Sequence, residues 1–210
     1  STLWEGDAIV AHAQEVGRKI AVAHQAVYLP RVQYVKQLLQ DGRIGDVQAI
    51  YAHGKQDSRG GGEDMLVLGT HLFNMMRFFA GDVSWISAQV TANGRELEPV
   101  DVRQATEPVG AVAGDCVNAY FAFESGTVGF FDSRKDQAGA GTPFGMEIVG
   151  SQGRISLRGG FGDDLMIYPH PLYAPSAQEQ RWEPLEEAPC SEPQDGNQLA
   201  IIDLIEAAEE

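Results

Sequence analysis

Cysteine is nearly missing from this chain, with only Cys116 and Cys190 among 210 residues. Two thiols are too few for a disulfide scaffold and have no metal-ligand spacing, so Cys116 reads as a structural thiol. The compartment stays open on that ground, with the cytoplasm as the default. Positive charge is scarce as well. Fifteen Lys and Arg face 30 Asp and Glu, a formal net charge of −15. That balance argues against nucleic acid, because phosphate binding needs clustered basic side chains. No window approaches the roughly 20 apolar residues that span a bilayer. The start, Ser1 to Asp7, has neither the basic head nor the apolar run of a signal peptide. His24 and His53 have no partner at metal spacing, so no metal is expected. Enough remains to build a core: 43% of residues are hydrophobic and 21% charged, within the range of globular proteins.

Periodicity divides the chain into helices first and strands later. Residues 7–16 carry apolar positions at helical spacing and stop at Gly17, which suits a left-handed cap. A short strand centred on Ile20-Ala21-Val22 is expected next, as if an alternating α/β unit were ending. Pro30 opens a helix to about Gln40, with Val32, Val35, Leu38 and Leu39 on one face. Val47 to Lys55 alternates like a strand. Gly60-Gly61-Gly62 reads as a flexible hinge, and Asp64 to Ala80 as a helix apolar nearly all round and so buried on several sides. Strands are expected at Trp85–Ala92, Cys116–Phe123, Thr127–Ser133, Met146–Gly150, Arg154–Leu157 and Leu165–Tyr168, with turns at Glu124-Ser125-Gly126 and Ser151-Gln152-Gly153. Residues 93–114 form a long polar connection. Residues 171–196 read as a surface stretch, and Asn197 as the cap of a last amphipathic helix. Asp163-Asp164 and Glu186-Glu187 read as solvated loop charges. The expected fold class is α+β: a six- to eight-stranded, mostly antiparallel sheet with the helices at 31–40 and 64–80 on one face.

Several pieces in this order carry a resemblance: Ile20-Ala21-Val22-Ala23, Pro30, the helix end Leu38-Leu39-Gln40-Asp41-Gly42-Arg43-Ile44-Gly45, Gly60-Gly61-Gly62, Gly69-Thr70-His71, Phe78-Phe79-Ala80-Gly81, and Ile148-Val149-Gly150-Ser151-Gln152-Gly153. Together they resemble the second domain of the glucose-fructose oxidoreductase / inositol dehydrogenase family of nicotinamide-dependent sugar oxidoreductases. The resemblance implies that residues 1–23 are the remnant of a dinucleotide-binding domain. It makes residues 24–196 a substrate and oligomerisation domain, and 197–210 a C-terminal helix. It implies NAD or NADP in the full-length protein. The Gly-rich phosphate loop and the Glu-Lys-Pro element are absent from these residues, so this piece alone is not expected to bind the cofactor strongly.

The same resemblance makes His71 the catalytic acid/base on a substrate hydroxyl, a task that suits an imidazole. The ordinary structural alternative is a core histidine bonded to a backbone carbonyl. The family commonly places an aspartate one turn before this histidine and an acid three residues after it; here those positions are Val67 and Asn74. Glu63, Asp64 and Asn74 are the nearest substitutes in sequence, none of them in the turn that Val67 occupies. Asp64 also has the alternative of a helix cap. Burial without a carboxylate partner is expected to lower the histidine's pKa. Lys55, Arg59, Asp64 and Asn74 are the candidate substrate-binding residues, with Asp57 beside the first two, and Tyr28 is the candidate near the nicotinamide. The activity so implied is oxidation or reduction of a sugar, cyclitol or related polyol. A relative that binds a sugar-like ligand or a partner without dehydrogenase chemistry is the alternative, as is a non-redox enzyme that uses NAD transiently. Apolar side chains on both faces of Cys116–Phe123 and Thr127–Ser133 imply a homodimer or homotetramer formed through the open sheet face.

Overall fold

The strand signals beyond residue 84 come together with Val47–His53 in one sheet. The structure, a computed structural model, describes residues 2–137, 144–159, 164–171, 180–190 and 195–209. Among them, helix α1 (Leu3–Glu15) leads to a 3₁₀ turn (Gln25–Tyr28), α2 (Pro30–Gln40) and strand β1 (Val47–His53). A one-turn helix α3 (Gly62–Asp64), a π-helical turn (Met65–Gly69) and α4 (Thr70–Ala80) follow. Then come β2 (Val83–Ala92), β3 (Arg95–Glu96), β4 (Arg103–Gln104), β5 (Ala111–Val112), β6 (Cys116–Phe123) and β7 (Val128–Arg134). The chain continues through β8 (Gly145–Gly150), β9 (Arg154–Arg158), β10 (Asp164–Tyr168), β11 (Glu183–Pro184) and helix α5 (Asp195–Glu209).

The large sheet has nine strands in the order β11-β10-β9-β8-β1-β7-β6-β2-β3, and β4 and β5 pair separately. The count exceeds the expected six to eight because two-residue strands extend both edges. All neighbours are antiparallel except β1 and β7, which run parallel with Ile50 opposite Gly129. Ile50 and Ala52 on β1 face the helices and join Val32 and Val35 of α2, Leu72, Met75 and Met76 of α4, and Phe131 and Ile148 in one core. The helices at 31–40 and 64–80 therefore cover one face, as the all-round apolar pattern of the second requires. Gly126 at φ 86° makes the β6–β7 turn, its N–H donating to Phe123 O. On the other face a row of rings crosses four strands. Tyr51 stacks on Phe130 at 4.9 Å, Phe130 meets Tyr120 edge-on at 5.4 Å, and Tyr120 meets Trp85 at 5.0 Å.

Four local expectations need correction. Ile20-Ala21-Val22 is not a strand; it is exposed irregular chain, with no strand paired to it among the described residues. Helix α1 begins at Leu3 rather than residue 7, because Thr2 and Glu5 form a reciprocal capping box. The helix at 64–80 is interrupted by the π turn at 65–69. The last helix starts at Asp195, so Asn197 lies inside it rather than capping it. The polar connection at 93–114 is partly ordered by β3, β4 and β5. Within the surface stretch at 171–196, residues 172–179 and 191–194 lie outside the described residues, as does Asp163; Asp164 opens β10, and Glu186 and Glu187 are exposed.

Candidate functional site

Two clusters of polar side chains flank the helical segment 62–80, and they differ in kind. The first is built on Gly60-Gly61-Gly62. A Cβ on Gly60 would lie 2.3 Å from Lys135 Cα, one on Gly61 2.5 Å from Gly114 O, and one on Gly62 2.1 Å from Ala113 O. These glycines let three backbone segments touch. The expected flexible hinge is a packed crossing, and its amide groups face protein rather than open space.

That crossing buries two carboxylates. Glu63, fully buried, accepts hydrogen bonds from Arg103 Nη1 at 2.6 Å, Thr106 N at 2.6 Å and Glu107 N at 3.2 Å, and also from the Thr106 hydroxyl. Burial raises its pKa, but the bonds from Thr106 and Arg103 outweigh this and hold the carboxyl at about 2. Asp64, also fully buried, accepts from Ser133 Oγ at 2.5 Å and Gln56 N at 3.3 Å. Gln56 in turn donates from Nε2 to Asp132 Oδ2 at 2.9 Å, and Asp132 is bonded to His53 Nδ1. Arg59 donates to Asp57 at 2.7 Å and to Glu107. Its hydrogen bonds hold the Asp57 carboxyl below the usual range. Lys55, half exposed, is 3.9 Å from Asp57.

The second cluster surrounds His71. Helix α4 starts one residue before it, and the π turn upstream adds one residue to the helical repeat, which sets the face on which the imidazole emerges. The half-buried His71 ring meets His24, which precedes the 3₁₀ turn, with ring centroids 5.0 Å apart and planes at 71°. Burial lowers the pKa of His71, with repulsion from His24 adding to it; burial lowers His24 too. Beside the pair opens a cavity of about 330 Å³ whose wall includes Lys19, His24, Tyr28, Asn74 and Asp203. The Tyr28 hydroxyl donates to Asp203 Oδ2 at 3.0 Å; partial burial raises the tyrosine's pKa and the carboxylate raises it further. The volume is within the range of about 300–1,000 Å³ usual for small-molecule sites. Neutral imidazoles, an amide and a phenol–carboxylate pair can exchange hydrogen bonds with ligand hydroxyls and accept a proton.

Of the residues singled out in the sequence, Asn74 and Tyr28 thus join one cavity, and His71 adjoins it through His24. Lys55, Arg59 and Asp64 belong to the first cluster and do not line it. Asp64 precedes His71 by seven residues, about 10 Å along a helix. In the sequence His24 was considered only as a metal ligand, and Asp203 escaped the reading. They lie 47 and 132 residues from His71, and the packing of the 3₁₀ turn on α4 and of α5 on the 3₁₀ turn brings them near. Among the described residues no group of three or more His, Cys, Asp or Glu could hold a metal ion, and no helix is long and apolar enough to cross a membrane.

The profile of the GFO/IDH/MocA C-terminal domain matches residues 32–156. The chain belongs to that family. No curated protein matches its sequence. Among solved structures, an NAD binding oxidoreductase from Klebsiella pneumoniae superposes with a TM-score of 0.68 at 16% identity, over 95% of this chain and 59% of that one. UDP-N-acetylglucosamine 3-dehydrogenase from Acidithiobacillus ferrooxidans gives 0.60 at 19%, over 97% and 57%. A super-repressor mutant of Gal80p from Saccharomyces cerevisiae gives 0.66 at 15%, over 96% and 55%. These likenesses are of fold, and the chain spans under two thirds of each of these proteins.

Proposed function

We propose that the chain is the substrate and oligomerisation domain of an NAD(P)-dependent oxidoreductase acting on a sugar, cyclitol or related polyol, with His71 as its acid/base. The observation that carries this reading is the desolvated His71–His24 pair beside a cavity whose other polar groups are an amide and a phenol–carboxylate pair. A neutral His71 takes the proton of a ligand hydroxyl, and Asn74 with the Tyr28–Asp203 pair orients neighbouring hydroxyls. The three consecutive glycines are used in backbone packing, which does not support them as a pyrophosphate cradle. Only Tyr28 is a candidate neighbour of a cofactor. In the protein that includes the nucleotide-binding portion, His71→Ala is expected to lower turnover by about two to four orders of magnitude. Unchanged turnover with a genuine substrate would return His71 to a structural role.

One observation favours a second reading, a binding protein without dehydrogenase chemistry. Half-buried Val67 stands in the π turn before His71, and the nearby acids Glu63 and Asp64 are held by other partners. Ligand binding without turnover in the same protein would select it. We also propose that the open sheet face pairs with a second copy. Tyr51, Phe130 and Trp85 are 41%, 36% and 54% exposed on that face, an apolar surface that monomers seldom leave uncovered.

A further inference from the structure

His71 meets a second imidazole that arrives from a distant part of the chain, and the geometry of that meeting has chemical consequences. The ring centroids are 5.0 Å apart and the planes stand at 71°, so the edge of one ring abuts the other ring's face. Edge-to-face contact is a favoured aromatic arrangement and restricts ring rotation. It also brings two titratable groups close enough that charging one opposes charging the other. The titratable side chains lining the adjoining cavity, besides His24, are Lys19 from the segment after α1, Tyr28 from the 3₁₀ turn and Asp203 from α5; α4 adds the neutral amide of Asn74. Asp203 accepts the hydroxyl hydrogen of Tyr28, and Lys19 brings a further positive charge. The lining therefore holds one carboxylate against an ammonium and an imidazole.

We propose that His24 is the positioning residue of this site: its ring sets the plane of the His71 imidazole, and the two rings take up protons in two separate steps, so that a ligand at neutral pH meets both uncharged. The proposal rests on the reading of the His71 cavity as the functional site. The burial of both rings acts in the same direction as their mutual repulsion. Once His71 accepts a proton from a ligand hydroxyl, the bond formed is N–H and the bond broken is O–H. His24 then remains neutral, able to turn a ring nitrogen toward the ligand as donor or acceptor.

The test is a pH titration by NMR of the longer protein, which includes the nucleotide-binding portion, carrying ¹³C-labelled histidine, in the wild type, His24→Phe and His24→Ala. In the wild type, the His24 and His71 signals are expected to show mutually dependent, two-step curves with midpoints below the ordinary value of about 6.5. Phenylalanine keeps the ring and its edge-on contact but removes the charge. In His24→Phe, His71 is expected to titrate in one step, with its midpoint raised because the opposing charge is gone. His24→Ala is expected to broaden the His71 ring signals, because the contact that fixes its plane is lost. Independent one-step curves in the wild type, or an unmoved His71 midpoint in His24→Phe, would overturn the proposal. The wild-type curves decide the matter even if a variant fails to fold. Turnover of the longer protein tests the proposed activity separately. Normal turnover in His71→Ala would remove that activity while leaving the titration result intact, and flat titrations would do the reverse.

Discussion

The crossing around Gly60–Gly62 lies at the start of the helical segment 62–80 and His71 near its middle, and the two places treat polar groups in opposite ways. At the crossing, carboxylates are buried and heavily bonded: Glu63 alone accepts from Arg103, Thr106 and Glu107. At the cavity, two imidazoles are half buried, their charged forms disfavoured, and an amide faces open volume. Saturated charge fixes a chain in place but leaves little capacity to bind or exchange a proton. Desolvated neutral bases retain that capacity. The difference separates scaffold from chemistry in this molecule better than the mere presence of charged residues does.

The contrast is broken most forcefully by exchanging the two roles. His71→Ala in the longer protein is expected to reduce turnover by about two to four orders of magnitude with little change in the thermal midpoint, read by steady-state kinetics and calorimetry. Glu63→Ala is expected to do the opposite. It strands the Arg103 and Thr106 donors and costs about 2–3 kcal/mol in denaturant unfolding, while the His71 titration stays where it was. Acid sharpens the same distinction. Glu63 is held at about 2 in the folded state, so its contribution is complete above the ordinary carboxylate range and is lost as pH falls toward that value. The lowered histidines act earlier. Below about 6.5 the unfolded chain binds protons that the folded rings refuse, so stability declines there first. Unfolding curves between pH 7 and pH 2 should fall in two stages, and Glu63→Ala should shrink the second, which the lowered Asp57 carboxyl shares. On the open face, Trp85→Ser is expected to shift the mass in light scattering from dimer or tetramer toward monomer and to change stability by less than about 0.5 kcal/mol. A modest effect is expected for Tyr28→Phe, which removes one hydrogen bond to Asp203 and costs up to about 1 kcal/mol in denaturant unfolding.

Much of the fold was legible where the signal is local. The turn at Glu124-Ser125-Gly126, Pro30 at the head of α2 and Gly81 after α4 announce themselves through backbone geometry, and each stands where expected. The start of α1 was equally legible, since Thr2-Leu3-Trp4-Glu5 spells a capping box. Reading the apolar period from Asp7 onward passed over it. Ile20-Ala21-Val22 failed for a different reason: a short apolar segment with β-branched Ile and Val becomes a strand only beside a partner. The π turn leaves no mark in composition, because one residue added to a helix keeps every side chain helix-compatible. At the site, Tyr28 and Asn74 were reachable through resemblance, and the long separation hid His24 and Asp203. Lys55 and Arg59 were legible only as charges. That Arg59 would be engaged by Asp57 and Glu107 depends on where the chain at 103–107 returns.

The parallel pairing of β1 with β7 bears on how the chain reaches this structure. Strands β7 and β8 are successive in sequence, yet β1 lies between them, bonded to β7 on one side and β8 on the other. The antiparallel groups β2-β6-β7 and β8-β9-β10 can each form from neighbouring segments. Neither completes the sheet until residues 47–53 are inserted as the joint. Contacts at such large sequence separation slow folding, because the intervening loop must close before they stabilise anything. Ile50, fully buried at that joint, is therefore the position to probe. If insertion of β1 is the final event, Ile50→Val should leave the refolding rate almost unchanged and speed unfolding, whereas Phe121→Leu within the β6–β7 hairpin should slow refolding. A sheet that looks continuous in the folded state would then have a kinetic seam down its middle.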